Sequence, residues 1–118
     1  MHIDESTLLN VRHQRSIRDA IAHNIGTAHI EFEVGCAKTI KRYAHDKDEM
    51  MRRLGGFTYS WKVATRQFMA QVDKSVAEEE KLVEDALNAL GLDPKEDYQI
   101  DFATGQVLIL RNGAYEAL

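Results

Sequence analysis

Two adjacent glycines, Gly55 and Gly56, separate two long segments that both carry apolar residues at helical spacing. A glycine in a helix interior costs about 1 kcal/mol relative to alanine, so the pair predicts a turn between two helices. Two helices alone cannot bury the apolar stripes that these segments carry. The sequence therefore predicts a helical hairpin or a small helical bundle, and its apolar stripes need cover from elsewhere.

The first segment begins near Leu8, where Ser6 or Thr7 supplies a helix cap. Its apolar stripe advances mostly in steps of four residues, which is nearer eleven residues per three turns than seven per two. The segment is therefore not a leucine zipper. The members of the stripe are Ile17, Ile21, Ile25, Ala28, Phe32, Cys36, Ile40, Tyr43, Met50 and Leu54.

Residues 28–34 fit two structures. Ile30, Phe32 and Val34 alternate with polar residues, as in a strand, whereas the four-residue steps continue straight through Phe32. We favour a helix because both flanking segments are helical. The sequence leaves open whether that helix is continuous through Gly26 and Gly35.

The second segment carries its stripe from Phe57 to Leu90, and Gly91 supplies a C-cap. Two β-prone runs follow, joined by a short loop that contains Gly105, and they predict a β-hairpin over about residues 97–111. Asn112-Gly113 ends the second strand, and Ala114 to Leu118 forms a short tail. The predicted fold class is mainly α, with a long helical hairpin or small helical bundle over about residues 6–91 and a C-terminal β-hairpin, in a single domain of residues 1–118.

The net charge of −4 is unevenly distributed along the chain. Residues 1–75 carry 12 Lys or Arg against 9 Asp or Glu, whereas residues 76–118 carry 3 against 10. An acidic third beside a mildly basic remainder fits complementary packing, within one chain or head to tail between copies. The simpler interpretation is that the basic and the acidic residues lie on two faces that are both exposed to solvent.

No reaction or ligand is indicated by a motif in this chain. His45-Asp46 resembles, in two letters only, the His-Asp pair of metal-dependent helical phosphohydrolases, and further histidines at suitable spacing are missing. Asp19 and His23 are four residues apart and could share a metal, but a surface pair is the ordinary explanation of this spacing. The single cysteine, Cys36, has no second thiol for a disulfide or a zinc motif and is interpreted as a small buried apolar residue. We therefore predict no enzymatic activity, no cofactor and no metal site.

Helix length supports self-association. Helices of about 45 and 34 residues would span roughly 70 and 50 Å, which leaves one end of the longer helix unpaired unless the first segment folds back on itself. A homo-oligomer, or a subunit of a larger complex of the kind found in bacterial or bacteriophage assemblies, is the predicted role. The candidate interface residues are Phe57, Trp61, Phe68, Val107, Leu108, Ile109 and Leu110; an intramolecular core explains Trp61 and Phe68 equally well.

Two other roles remain open. Arg12, Arg15 and Arg18, with later basic residues, are able to track nucleic-acid phosphates, although the pI of about 5.7 does not favour it. The acidic C-terminal third also fits a small inhibitor that binds a partner's basic site. No apolar run approaches the roughly 18–20 residues that span a bilayer, so the expected location is the cytoplasm, or a virion if the chain is phage-encoded.

Overall fold

The computed structural model describes all 118 residues as two long helices followed by a three-stranded antiparallel sheet. Helix α1 spans Glu5–Arg42 and helix α2 spans Lys47–Ala89. The strands are β1 (Tyr98–Ile100), β2 (Val107–Arg111) and β3 (Ala114–Ala117), in the order β1-β2-β3. The predicted class, a long helical hairpin with C-terminal antiparallel strands, is confirmed.

The turn between the helices lies at residues 43–46, so the predicted turn at Gly55-Gly56 is wrong. Both glycines lie inside α2, where they are exposed to solvent. Asp46 starts this helix, because its carboxylate accepts a hydrogen bond from the backbone N–H of Glu49 at 3.2 Å. Asp followed three residues later by Glu is a helix-start signature, and the cost of two exposed glycines is small for a helix of 43 residues.

Helix α1 is continuous through Gly26 and Gly35, and residues 28–34 are helical, as favoured. It begins at Glu5, three residues before the predicted start. Asp4 is the cap, since its carboxylate accepts hydrogen bonds from the Thr7 backbone N–H at 3.2 Å and from the Thr7 hydroxyl at 2.6 Å. Both hydrogen bonds lower the pKa of Asp4, and the bond from the Thr7 hydroxyl has the larger effect.

Gly91 ends α2 as predicted. Its φ is +75°, its N–H donates to Asn88 O at 3.0 Å, and the N–H of Leu92 donates to Leu87 O at 3.0 Å. This pair of bonds is a Schellman motif, which satisfies carbonyls that the helix leaves unpaired.

The sheet contains the predicted hairpin and one strand more. Tyr98 lies opposite Ile109 in the first pair of strands. Asn112 and Gly113, both at positive φ (51° and 79°), form a two-residue turn, and residues 114–117 return as β3. The predicted tail is therefore wrong, because Asn-Gly is the preferred dipeptide of a two-residue hairpin turn.

The chain divides into two compact units. The sheet unit comprises Met1–Ile17 and Ser75–Leu118, and the hairpin unit comprises Arg18–Lys74. The sheet unit has a hydrophobic core, whose buried members are Ile3, Leu8, Ala86, Leu87 and Val107. The first residues close this core: Ile3 N–H donates to Gly105 O at 2.7 Å, and Val107 N–H donates to Met1 O at 3.0 Å.

The hairpin unit contains the parts of α1 and α2 on either side of the turn and almost no buried side chains. Among its residues, Ile21 is the one buried hydrophobic residue, and Thr39 is the one buried polar residue. Cys36, predicted to be buried, is only half-buried.

Replacing Gly55 or Gly56 with alanine should stabilise the protein, by about 1 kcal/mol per site, because a helical glycine is being replaced in open space. Nothing lies within 4 Å of a Cβ built at either position. Chemical denaturation followed by far-UV circular dichroism measures the change. Gly35→Ala is the control. Its Cβ would lie 3.2 Å from Cε1 of Phe57, so this variant should gain less stability. Destabilisation by Gly55→Ala and Gly56→Ala would mean that a turn lies there.

Gly105→Ala should destabilise the sheet unit. The glycine has φ +82°, and an added Cβ would lie 2.8 Å from the backbone oxygen of Ile3. A left-handed alanine costs about 1–3 kcal/mol, and the clash with backbone adds to that cost. The free energy of unfolding measures the loss, with Gly113→Ala as the control, because that glycine has φ +79° and open space around it. Equal losses at the two sites would contradict the close approach at Gly105.

Candidate interaction surfaces

An aromatic cluster lies in the hairpin unit where α1 and α2 face each other. The rings of Trp61 and Phe32 are stacked, with centroids 5.6 Å apart and 21° between their planes. The ring of His29 is 5.3 Å from that of Trp61, at 58°. Offset and tilted geometries of this kind are the favourable ones for aromatic pairs. The cluster therefore joins the two helices, which agrees with an intramolecular role for Trp61.

Beside this cluster runs an open groove of about 270 Å³, which we call the aromatic groove. Its lining comes from both helices and consists of Ala28, Glu31, Phe32, Phe57, Ser60, Trp61 and Ala64. Residues with small side chains, Ala28, Ser60 and Ala64, create the depression between the aromatic rings. The spacing of Phe57, Trp61 and Ala64 at four and three residues places them on one side of α2.

The seven predicted interface residues do not share one surface. Phe57 and Trp61 line the aromatic groove, and 38% of Phe57 is exposed. Phe68 is half-buried in the hairpin unit. Val107 has no exposed surface, whereas Leu110 at the other end of the same strand is 38% exposed. Leu108 and Ile109 are partly buried. The strand residues thus divide between the core of the sheet unit and its outer surface.

Glu49, in the first turn of α2, pairs with two arginines of the same helix. Its carboxylate accepts hydrogen bonds from Arg52 Nε at 2.9 Å and Arg53 Nε at 2.7 Å, and Arg52 Nη2 adds a further contact. The Arg53 guanidinium also lies 4.6 Å from the centre of the Tyr43 ring. The hydrogen bonds from Arg52 and then Arg53 lower the pKa of Glu49 to about 2, and the bond with Glu49 raises the pKa of Arg52.

The acidic end of α2 lies in the sheet unit. Residues 78–85 include five carboxylates and one lysine, and the last turn of the helix has no basic residue. A second groove, of about 350 Å³, runs here, and we call it the acidic groove. Its lining is Glu79, Glu80, Val83, Glu84, Leu87 and Pro94. It therefore has an apolar floor between carboxylates.

Two of the three arginines considered for phosphate binding have protein partners in the sheet unit. Arg12 donates to the backbone oxygens of Phe102 at 2.9 Å and Ala103 at 3.3 Å. Arg15 lies 4.2 Å from the centre of the Phe102 ring and pairs with Glu79 at 3.1 Å. These side chains support the loop between β1 and β2.

The residues considered for metal chemistry include a helix cap and an exposed histidine. Asp46 of the His45-Asp46 pair caps α2, and His23 lies exposed on α1. No three His, Cys, Asp or Glu side chains in the chain converge in a way that would hold a metal ion.

Comparison with protein-family models, curated proteins and solved structures finds no match to this chain. Neither helix contains a stretch apolar enough to cross a membrane.

Glu49 should make the stability of the hairpin unit dependent on acid pH. Its folded pKa of about 2 lies below the ordinary value of 4.5, so its stabilising effect is present above pH 4.5 and is lost as the pH falls towards 2. Wild type should therefore melt at a higher temperature than Glu49→Gln at pH 7, and the two should converge near pH 2. Thermal melts of both proteins across this range measure the difference. A gap that does not change with pH would contradict the ion-pair assignment.

Proposed function

We propose that the protein is a non-enzymatic assembly subunit whose hairpin unit associates with a second copy of the chain through the aromatic groove. The observation that carries this proposal is the near absence of buried hydrophobic side chains between Arg18 and Lys74. Apolar burial is the main favourable term in folding, and a pair of helices this long needs more of it than one buried residue and a strip of half-buried ones supply.

Large apolar side chains of the hairpin unit lie in solvent instead. Ile30, Met51 and Tyr59 are 62%, 63% and 71% exposed. The others are Val34, Ile40, Phe57 and Met69. Scattered apolar side chains are normal on a surface, but here they accompany an open groove lined by three aromatic rings.

A second copy suits the aromatic groove because homodimer interfaces are more apolar than other protein surfaces. A two-fold axis through the contact would place the groove of one copy against the same groove of the other. Phe32, Phe57 and Trp61 would then supply the large, rigid side chains that dominate interface energetics.

Ser60→Arg tests the groove without removing any packing within the chain. Ser60 is exposed and lines the groove, so an arginine there would fill it with a charge. We expect the dissociation constant of the oligomer, measured by sedimentation equilibrium, to rise about tenfold or more, because the arginine side chain would occupy the space that the second copy fills.

Thr58→Arg is the matched control. It adds the same side chain two residues away, and residues two apart point to nearly opposite sides of a helix. This variant should associate like wild type. A monomeric wild-type chain at all concentrations, or equal association of wild type and Ser60→Arg, would overturn the proposal.

A further inference from the structure

We propose that the acidic groove is a docking site for the basic segment Lys38–Lys47 of another copy of the chain. This inference rests on the proposed self-association and adds a second, electrostatic contact to it. The two units carry opposite charge: the sheet unit has 5 Lys or Arg against 12 Asp or Glu, and the hairpin unit has 10 against 7.

The carboxylates of the acidic groove are unfavourably placed within their own helix. They lie in the C-terminal third of α2, where the helix dipole is negative, and Glu80 and Glu84 are like charges four residues apart. Glu79 pairs with Arg15, but neither Glu80 nor Glu84 forms an ion pair within the chain. A local arrangement that costs stability is typical of a surface used for binding.

The occupant is identified by its charge. Three exposed lysines in this segment form no ion pair within the chain: Lys38, Lys41 and Lys47. Arg52 and Arg53, by contrast, both form ion pairs with Glu49.

The two surfaces are complementary in polarity as well as in charge. The acidic groove presents Val83, Leu87 and Pro94 between its carboxylates, and the aliphatic part of a lysine side chain packs on apolar surface of this kind. In the docked state Lys38 and Lys41, which are three residues apart on one side of α1, face Glu80 and Glu84, and their aliphatic stems pack on the apolar floor. Such complementarity sets the orientation and the rate of association more than its strength.

Charge reversal on each surface tests the contact. Glu80→Lys/Glu84→Lys makes the groove basic, and Lys38→Glu/Lys41→Glu makes the segment acidic. Each variant alone should associate at least tenfold more weakly than wild type in low salt, because like charges now face each other. Mixed in equal amounts, the two variants should form an assembly that contains both, since every contact between unlike copies is again attractive. Native mass spectrometry of the mixture, with one variant isotopically labelled, measures this composition.

Glu96→Lys/Glu116→Lys is the control, because it changes the net charge by the same amount at exposed positions outside the groove. It should associate like wild type. Reversed variants that associate normally by themselves, or a mixture that contains only unlabelled or only labelled oligomers, would overturn the docking contact while leaving the aromatic groove intact. A wild-type chain that stays monomeric would instead overturn the proposed function itself.

Discussion

Two helices packed side by side bury only the strip of side chains between them, and this limit governs the structure of the hairpin unit. Most of its large apolar residues remain at least partly in solvent, and Ile21 is its one buried hydrophobic residue. The sheet unit is different, because strands and N-terminal residues cover its helices from a third side. One part of the chain therefore has its own core, and the other presents apolar surface. Self-association is proposed to complete the burial that the second part lacks.

The positions of the helices were only partly predictable from the sequence. Periodicity identified two long helices, and Gly91 marked the end of the second. The turn lies at residues 43–46 and not at Gly55-Gly56, because the capping sequence that starts at Asp46 sets where the second helix begins. Exposed glycines inside a long helix cost about 1 kcal/mol each, which cooperative helix formation outweighs. The third strand also follows from a local signal, because Asn112-Gly113 both ends β2 and reverses the chain into β3.

The candidate surfaces depend partly on residue spacing within one helix and partly on contacts between segments that are distant in the sequence. Helical spacing was enough to place Phe57 and Trp61 near each other on α2, where both line the aromatic groove. The spacing did not show that Phe32 from α1 would stack on Trp61, since that contact depends on how the helices pair. Nor did it separate buried Val107 from exposed Leu110 within one apolar strand. The acidic groove depends on Pro94, which lies beyond the helix, so its shape was not visible in the charge pattern alone.

Hydrogen exchange measured by mass spectrometry across a dilution series tests the central claim most directly, because amide protection reports local opening in each unit separately. If a second copy completes the hairpin unit, amides in residues 18–74 should exchange faster as the protein is diluted, and those of the sheet, residues 98–117, should change little. Strong protection of residues 18–74 at every concentration, together with a mass of 13.4 kDa, would show that the hairpin unit is stable by itself and would contradict the account.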